Sequence, residues 1–369
     1  MKIGFDAKRL YNNFTGLGNH SRTTIDILSE FYPNDHYVLY TPAIKYNAVT
    51  SDYIEKQNCL TRVPEGWLRG SGWRTFGIPR DAKRDGIDVF HGLSNELPAG
   101  LRVPSVVTIH DVAFKDFPDM YHWQDRMIYD MKWKHAISRA DRVIAISEST
   151  KRDIMKYYDV PAEKIDVVYQ PVSRRYYEKT ERRPLPAAFP SPFMLYAGSI
   201  NSRKNLLGAV KAVEMLPSDL QIPLVAVGEG GEYRREVEAY VAAHNLNSLV
   251  IFPDHKVDDA ELQQLYMHAE LFVYPSFSEG FGLPVAEALL CRCPVVTSCV
   301  SSLPEAAGEK SLKAAPDDPS DISRKMQQVL TDSSMREEMK AYGYDYAMRM
   351  FHPKRSADRL MEIYKELKR

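Results

Sequence analysis

The sequence predicts an α/β protein built from two doubly wound, Rossmann-like domains. At 369 residues, the chain exceeds the length at which a single hydrophobic core usually keeps growing. Short apolar runs alternate with helical patterns, which is typical of a parallel sheet flanked by helices. The alternation stops at a charged, proline-rich stretch, residues 171–192, and then restarts. Such a stretch is typical of an exposed connection between two domains.

Each domain is predicted from its own series of strands. The runs of the first domain are 3–5, 37–40, 89–90, 106–109, 143–146 and 165–169. Those of the second domain are 193–198, 223–228, 249–252, 271–275 and 294–298. We therefore assign residues 1–175 to the first domain and 176–351 to the second. The last helical segment, 352–369, is expected to pack back on the first domain.

Composition excludes several classes of protein. Lys plus Arg (48) nearly balance Asp plus Glu (49), so no nucleic-acid partner is expected. The most apolar stretch, 283–300, carries the charged residues Glu287 and Arg292, so no transmembrane helix is expected. No secretory signal is recognisable at the start of the sequence. We expect a cytoplasmic protein, or one bound to the cytoplasmic face of a membrane.

No metal site is predicted. Cys59, Cys291, Cys293 and Cys299 lack a CxxC pair and are interpreted as buried, reduced thiols. The ten His residues show no spacing such as HExxH, and no suitable loop carries a DxD-like pair.

Open α/β sheets bind ligands beyond the carboxyl ends of their strands. In the second domain the loops there read GSINSRKN, GEGGEY, PDHK and SFSEGFGLP, and we expect them to converge on one ligand. In the first domain they read DAKRLYNNFTGLGNH, HGLSNELP and HDVAF, and we expect them to face the opposite wall of the same cleft.

The clearest motif has two carboxylates, Glu279 and Glu287, on either side of a glycine-rich turn from strand to helix. Gly280 and Gly282 allow close approach of the backbone to a ligand, and the helix starting near Pro284 points free amides at it. Ionised carboxylates only accept hydrogen bonds, which suits hydroxyl groups. We expect Glu279 to bind sugar hydroxyls and Glu287 to bind a ribose diol.

SEGFGLPVAEAL, followed by PVVTS and LPEAAG, resembles the E-x7-E region of the retaining glycosyltransferases of family four. FTGLGNHSR, DVFHG, VVTIHDVAF, DRVIAISESTKRDI and AGSINSRKNL stand in the same order as in bacterial members. The resemblance implies the GT-B fold, two facing Rossmann-like domains with a cleft between them. It implies transfer from a nucleotide-diphosphate sugar, with retention of configuration and without a cofactor, to a glycan or lipid-linked acceptor in surface polysaccharide synthesis. The absence of a DxD-like pair predicts that this transfer needs no divalent metal. The VVTIHD and RKN segments resemble mannosyltransferases that use GDP-mannose.

The resemblance also implies roles for individual residues. The family has an Arg directly after the strand glycine and a Lys five residues later; this chain has Ser199 and Lys204 there. Lys204 is expected to hold the diphosphate, and Arg203 is a candidate replacement for the missing guanidinium. His110 is expected beside the anomeric centre. The remaining expected donor contacts are Gly16, Gly18, Asp111, Gly228, Pro253, Asp254, Phe281 and Leu283.

Several alternatives stay open. A sugar-nucleotide epimerase of the same architecture would need no acceptor, and an inactive sugar-nucleotide-binding subunit would bind donor without transfer. A nicotinamide dehydrogenase is disfavoured because no GxGxxG directly follows a strand.

Segments 66–86 and 121–139 carry Trp among basic residues, as in helices at membrane surfaces. Packing of these Trp side chains into the domain core is the favoured interpretation.

Overall fold

The structure, a computed structural model, describes residues 1–65 and 72–368 of the chain. It divides into two compact units, each with its own parallel sheet. The first unit comprises Met1–Pro171 and the C-terminal segment that starts at Pro353, and the second comprises Val172–His352. The chain thus passes between units at 171/172 and 352/353, where the sequence analysis placed the boundaries at 175/176 and 351/352.

The described residues of the first unit form a seven-stranded sheet in the order β3-β2-β1-β4-β5-β6-β7. Its strands are β1 (Lys2–Asp6), β2 (His36–Tyr40), β3 (Cys59–Arg62), β4 (Val89–Gly92), β5 (Ser105–Ile109), β6 (Arg142–Ala145) and β7 (Ile165–Val167). Its helices are α1 (Lys8–Asn12), α2 (Gly16–Phe31), α3 (Ala48–Glu55), α4 (Ile78–Asp85), α5 (Ala113–Asp116), α6 (Trp123–Arg139) and α7 (Glu148–Tyr158).

The second unit has a six-stranded sheet in the order β10-β9-β8-β11-β12-β13. Its strands are β8 (Met194–Ala197), β9 (Leu224–Val227), β10 (Val250–Ile251), β11 (Leu271–Tyr274), β12 (Val295–Ser298) and β13 (Leu312–Ala314). Its helices are α8 (Leu206–Glu214), α9 (Glu232–Ala243), α10 (Asp259–His268), α11 (Leu283–Leu290), α12 (Leu303–Ala307), α13 (Pro319–Thr331) and α14 (Ser333–Met350), after which α15 (Pro353–Lys368) belongs to the first unit.

The core of the first unit lies on both faces of its sheet. Tyr37 and Leu39 pack in one apolar cluster with Tyr364 of α15, whereas Val38 and Tyr40 pack in a second cluster with residues of α6. This division follows from the two-residue period of a strand, which sends alternate side chains to opposite faces. A sheet covered by helices on both faces is the doubly wound arrangement predicted from the sequence.

Trp73 and Trp133 pack into the core of the first unit, as the favoured interpretation of their segments expected: both are buried, and their indole nitrogens donate to Asp81 Oδ2 and the Asp111 carbonyl. Trp123 departs from that expectation, because its side chain is 64% exposed. The part of segment 66–86 that includes Trp67 lies outside the described residues. Cys299 is exposed and Cys59 and Cys291 are half-buried, so only Cys293 is the fully buried thiol that was expected.

Candidate functional site

In each sheet the strand order reverses beside the first strand, and ligands of doubly wound folds bind at that reversal. In the second unit β8 lies between β9 and β11, so the loops after β8 and β11 flank this point. These loops carry Lys204 and Glu279. The topology therefore brings together Lys204 and Glu279, which are 75 positions apart in the chain. Their neighbours Arg203 and Ser278, also 75 positions apart, are joined by a hydrogen bond from the Arg203 side chain to the Ser278 carbonyl.

The Glu279 carboxylate lies between two cations. Lys204 Nζ is 3.3 Å from Glu279 Oε1, and Arg203 Nη1 is 3.2 Å from Glu279 Oε2. Tyr274 Oη accepts a hydrogen bond from Lys204 Nζ at 2.5 Å and donates one to Glu279 Oε1 at 2.9 Å. Ser276 Oγ donates a further bond to Oε1 at 3.0 Å. The group combines two positive charges with an acceptor-only carboxylate.

Main-chain contacts hold the two loops in place. The Arg203 carbonyl accepts the Phe277 N–H at 2.8 Å, and the Asn205 side-chain amide donates to the Pro275 carbonyl at 3.1 Å. On the other side, Ser301 and Ser302 hydroxyls donate to the Glu279 carbonyl, each at 2.7 Å. The side chains of the site therefore project from loops whose backbone is held in place by hydrogen bonds.

The two glutamates of the motif differ in their pKa values. Burial alone would raise the pKa of Glu279, but the charges of Lys204 and Arg203 outweigh it and lower that pKa to about 2. Glu287 of α11 is the reverse case: burial raises its pKa to about 7, although Tyr266 Oη donates to its Oε2 at 3.3 Å. The Glu279 carboxylate is thus ionised at neutral pH, whereas Glu287 titrates near neutral pH.

A cavity of about 420 Å³ opens beside this group in the second unit. It is lined by Gly228, Glu229, Arg234, Pro253, Asp254 and His255, among other residues. Its volume is within the range of small-molecule sites, roughly 300–1,000 Å³. Gly228 joins the cavity to the cations: a Cβ atom there would lie 1.9 Å from the Gly198 carbonyl, and Gly198 packs beside Lys204. Only glycine fits at this contact.

The first unit holds a cluster of buried histidines: His20 of α2, His91 of β4, and His110 directly after β5. His110 Nε2 donates to the Leu93 carbonyl at 2.9 Å, which leaves Nδ1 as the acceptor of the ring. The His20 ring meets it edge-on with centroids 4.5 Å apart. Burial lowers the pKa of both rings, and it lowers the pKa of nearby His91 to about 3. These imidazoles are therefore neutral at physiological pH.

Helix α2 starts earlier than expected. The sequence analysis included Gly16 and Gly18 in the loop DAKRLYNNFTGLGNH, but α2 begins at Gly16. The Asn13 side chain makes this start favourable, because its Oδ1 accepts the N–H of Thr15 and of Gly18. The Gly18 amide thus already has a partner.

The other predicted residues take varied positions. Ser199 is exposed and accepts a bond from Asn201, and Asp111 Oδ1 accepts the Ala113 N–H at the start of α5. The Phe281 ring is buried inside the second unit and packs against Phe351, with centroids 5.0 Å apart. Gly282 has φ +105° at the start of α11, and half-buried Leu283 follows it.

Sequence reasoning missed Tyr274, Ser276, Arg234 and His20. Tyr274 was interpreted as an ordinary core residue of a buried strand, because the apolar run LFVYP gives no sign that the hydroxyl of this Tyr has a polar partner. Ser276 had a signal, since it opens the polar loop that contains Glu279. Arg234 lies in α9, one residue beyond the loop GEGGEY, and His20 ends the segment DAKRLYNNFTGLGNH but was not singled out within it.

Within residues 1–65 and 72–368, no three His, Cys, Asp or Glu side chains come close enough together to hold a metal ion. None of the helices described there has the length and apolar content that crossing a membrane requires.

A cation pair at the reversal point of a Rossmann-like sheet, where such folds bind their ligands, can stabilise the negative charge of phosphate groups. Comparison with known proteins agrees. Residues 178–346 match the family "Glycosyl transferases group 1" and residues 27–175 match "Glycosyltransferase Family 4". The chain belongs to these glycosyltransferases, and the predicted family and GT-B fold class are confirmed.

Individual relatives and solved structures are also similar. The "O-antigen chain mannosyltransferase B" of Escherichia coli is 32% identical over 364 residues, which span 93% of this chain and 94% of that protein. The "Serotype-specific mannosyltransferase WbdA" of Escherichia coli is 34% identical over 55% of this chain and 26% of its own length. The structure of Anabaena Alr3699/HepE in complex with UDP-glucose has a TM-score of 0.76, with 16% identity over 99% and 100% of the two chains.

The opposite pKa shifts of Glu279 and Glu287 predict opposite effects on stability. Ionised Glu287 is unfavourable in the folded protein, so it removes stability as the pH rises from about 4.5 to about 7. Glu287→Gln should therefore raise the free energy of unfolding at pH 8, by roughly 1–3 kcal/mol, and change it little at pH 4.5. The measurement is chemical denaturation at both pH values.

Glu279→Gln is the matched control. Ionised Glu279 adds stability that is present above about pH 4.5 and is lost as the pH falls towards about 2. Its amide variant should accordingly be less stable than wild type at pH 8. Equal effects of the two substitutions at pH 8 would contradict the assigned environments.

Proposed function

We propose that the protein transfers mannose from GDP-mannose to a glycan or lipid-linked acceptor, with retention of configuration and without a metal ion, in bacterial surface polysaccharide synthesis. The observation that carries this proposal is the Lys204–Glu279–Arg203 group beside the cavity. The cations suit the diphosphate, which gains negative charge as it leaves. The names of the two Escherichia coli relatives support mannose as the sugar.

The low pKa of Glu279 bears on the chemistry. A carboxylate with a pKa of about 2 is a weak base, so Glu279 is poorly suited to deprotonate an acceptor hydroxyl. We infer that the donor phosphate takes this proton. The bond from the anomeric carbon to the phosphate oxygen breaks, the bond to the acceptor oxygen forms on the same face, and the proton passes to the departing diphosphate. Neutral His110 accepts a hydrogen bond from a sugar hydroxyl through Nδ1.

Loss of either central side chain should abolish transfer. In Lys204→Ala the diphosphate loses a cation, and in Glu279→Ala the sugar loses an acceptor, so each variant should lose about 100-fold or more in kcat/KM. The assay follows mannose transfer from GDP-mannose to membrane glycolipid, in EDTA, with the anomeric configuration read by NMR. Lys211→Ala, a change on α8, is the control.

Four results would contradict parts of this proposal. Undiminished turnover in both variants would remove the mechanism, and activity that disappears in EDTA would remove metal independence. Conversion of the donor without an acceptor would favour the epimerase. Donor binding with no turnover on any acceptor would favour an inactive subunit.

The cavity offers a reason for guanine as the base. Guanine presents two adjacent N–H donors on one edge, which a single carboxylate can accept together, whereas uracil presents one N–H between two carbonyls. The Asp254 side chain is 95% exposed at the cavity wall, where His255 Nδ1 lies 3.1 Å from its Oδ1. The hydrogen bond from His255 lowers the pKa of Asp254, which keeps the carboxylate ionised.

Asp254→Ala should weaken GDP binding about 10-fold and leave UDP binding nearly unchanged, since only guanine loses a charged partner. Isothermal titration of both nucleotides measures this. Glu229→Ala, another exposed carboxylate of the same wall, is the matched control. Tighter binding of UDP than GDP to the wild type would contradict guanine as the base.

We also propose that α6 contacts the cytoplasmic face of the membrane, where a lipid-linked acceptor would be found. Trp123, Met127 and Met131 recur at four-residue spacing, so they share one side of α6, and each is about two-thirds exposed. Four Arg and Lys against two Asp give this helix a positive charge. Apolar side chains with basic neighbours suit an anionic lipid surface.

The double variant Trp123→Ser and Met127→Ser should reduce sedimentation with anionic phospholipid vesicles about 10-fold, because it removes the buried apolar area. Met215→Ser, which changes a similarly exposed Met of the second unit, should have no effect. Wild-type protein that stays in the supernatant at low salt would overturn the proposed membrane contact.

A further inference from the structure

Tyr274 ends β11 at the centre of the second sheet, and its side chain is fully buried. Its ring stacks on Phe272, with centroids 5.7 Å apart, and packs against Tyr196 at 5.9 Å. Close-packed rings in a sheet interior have little rotational freedom. The phenol oxygen therefore has a fixed position at the end of the strand.

This fixed oxygen bonds both functional side chains at once. It accepts from Lys204 Nζ at 2.5 Å and donates to Glu279 Oε1 at 2.9 Å, and the ammonium lies 5.2 Å from the ring centroid. Burial raises the pKa of Tyr274 well above its ordinary value, so the hydroxyl stays neutral and can both donate and accept. Lysine has a long flexible stem and needs such an anchor to hold one position.

We infer that Tyr274 is a positioning residue, whose hydroxyl holds the Lys204 ammonium where the donor diphosphate binds and orients Glu279 toward the sugar. This inference rests on the proposed function. Without the hydroxyl, Lys204 Nζ would lose its hydrogen bond to Tyr274 and keep its contact with Glu279, at 3.3 Å, and its position over the ring. The Lys204 ammonium would then take its position from the Glu279 carboxylate, because the Tyr274 oxygen that also binds it would be absent.

The test is Tyr274→Phe, which keeps the ring and removes the hydroxyl. Isothermal titration with GDP and with guanosine separates positioning from general loosening, because guanosine lacks the phosphates that Lys204 would hold. The variant should bind GDP about 10-fold more weakly than wild type and guanosine equally well. Its kcat/KM for GDP-mannose should fall by about 10- to 100-fold. Tyr274→Met is the second variant if Tyr274→Phe does not fold.

Tyr37→Phe is the control for loss of a buried hydroxyl, since Tyr37 Oη donates to two main-chain carbonyls in the first unit. It should lower the melting temperature without changing GDP binding. Wild-type GDP affinity in Tyr274→Phe, or an equal loss of GDP and guanosine affinity, would overturn the positioning role and leave the proposed function standing. A wild-type protein that binds neither GDP nor UDP would overturn the proposed function itself.

Discussion

The ion pairs that hold Glu279 between Lys204 and Arg203 are the interaction on which the candidate site depends. Bringing three charges together in a partly buried loop is costly unless each is paired and hydrogen-bonded. Tyr274 and Ser276 supply the further bonds to the carboxylate, and serines of the next loop fix its backbone. The group is therefore organised before any ligand arrives, which reduces the entropy lost on binding.

The fold class could be predicted because its signal is local and repeated. Five runs in the second domain and six in the first correspond to strands, since buried parallel strands are almost continuously apolar. The runs missed β3 and β13, which lie at sheet edges. Most of their residues are only half-buried, so their sequences, CLTR and LKA, lack the apolar run that marks a central strand.

The site could be predicted only in part. Lys204 and Glu279 were singled out because they lie in unusual loops that a known family shares, and Glu287 because it lies in the helix that follows the second of these loops. The contacts between these side chains could not be predicted, because pairing of side chains across two loops depends on the order of strands in the sheet. The difference between Glu279 and Glu287 was equally invisible, since it arises from neighbours such as Arg203 and Tyr266 in space. Arg203 reaches Glu279 although the chain has Ser199 at the usual arginine position.

The most direct measurement is a crystal structure of the protein with bound GDP-mannose. The account predicts the base in the cavity beside Gly228, a phosphate oxygen within hydrogen-bonding distance of Lys204 Nζ, and a mannose hydroxyl bonded to Glu279. A donor bound away from the turn that contains Phe281, with no phosphate oxygen in contact with Lys204, would contradict it.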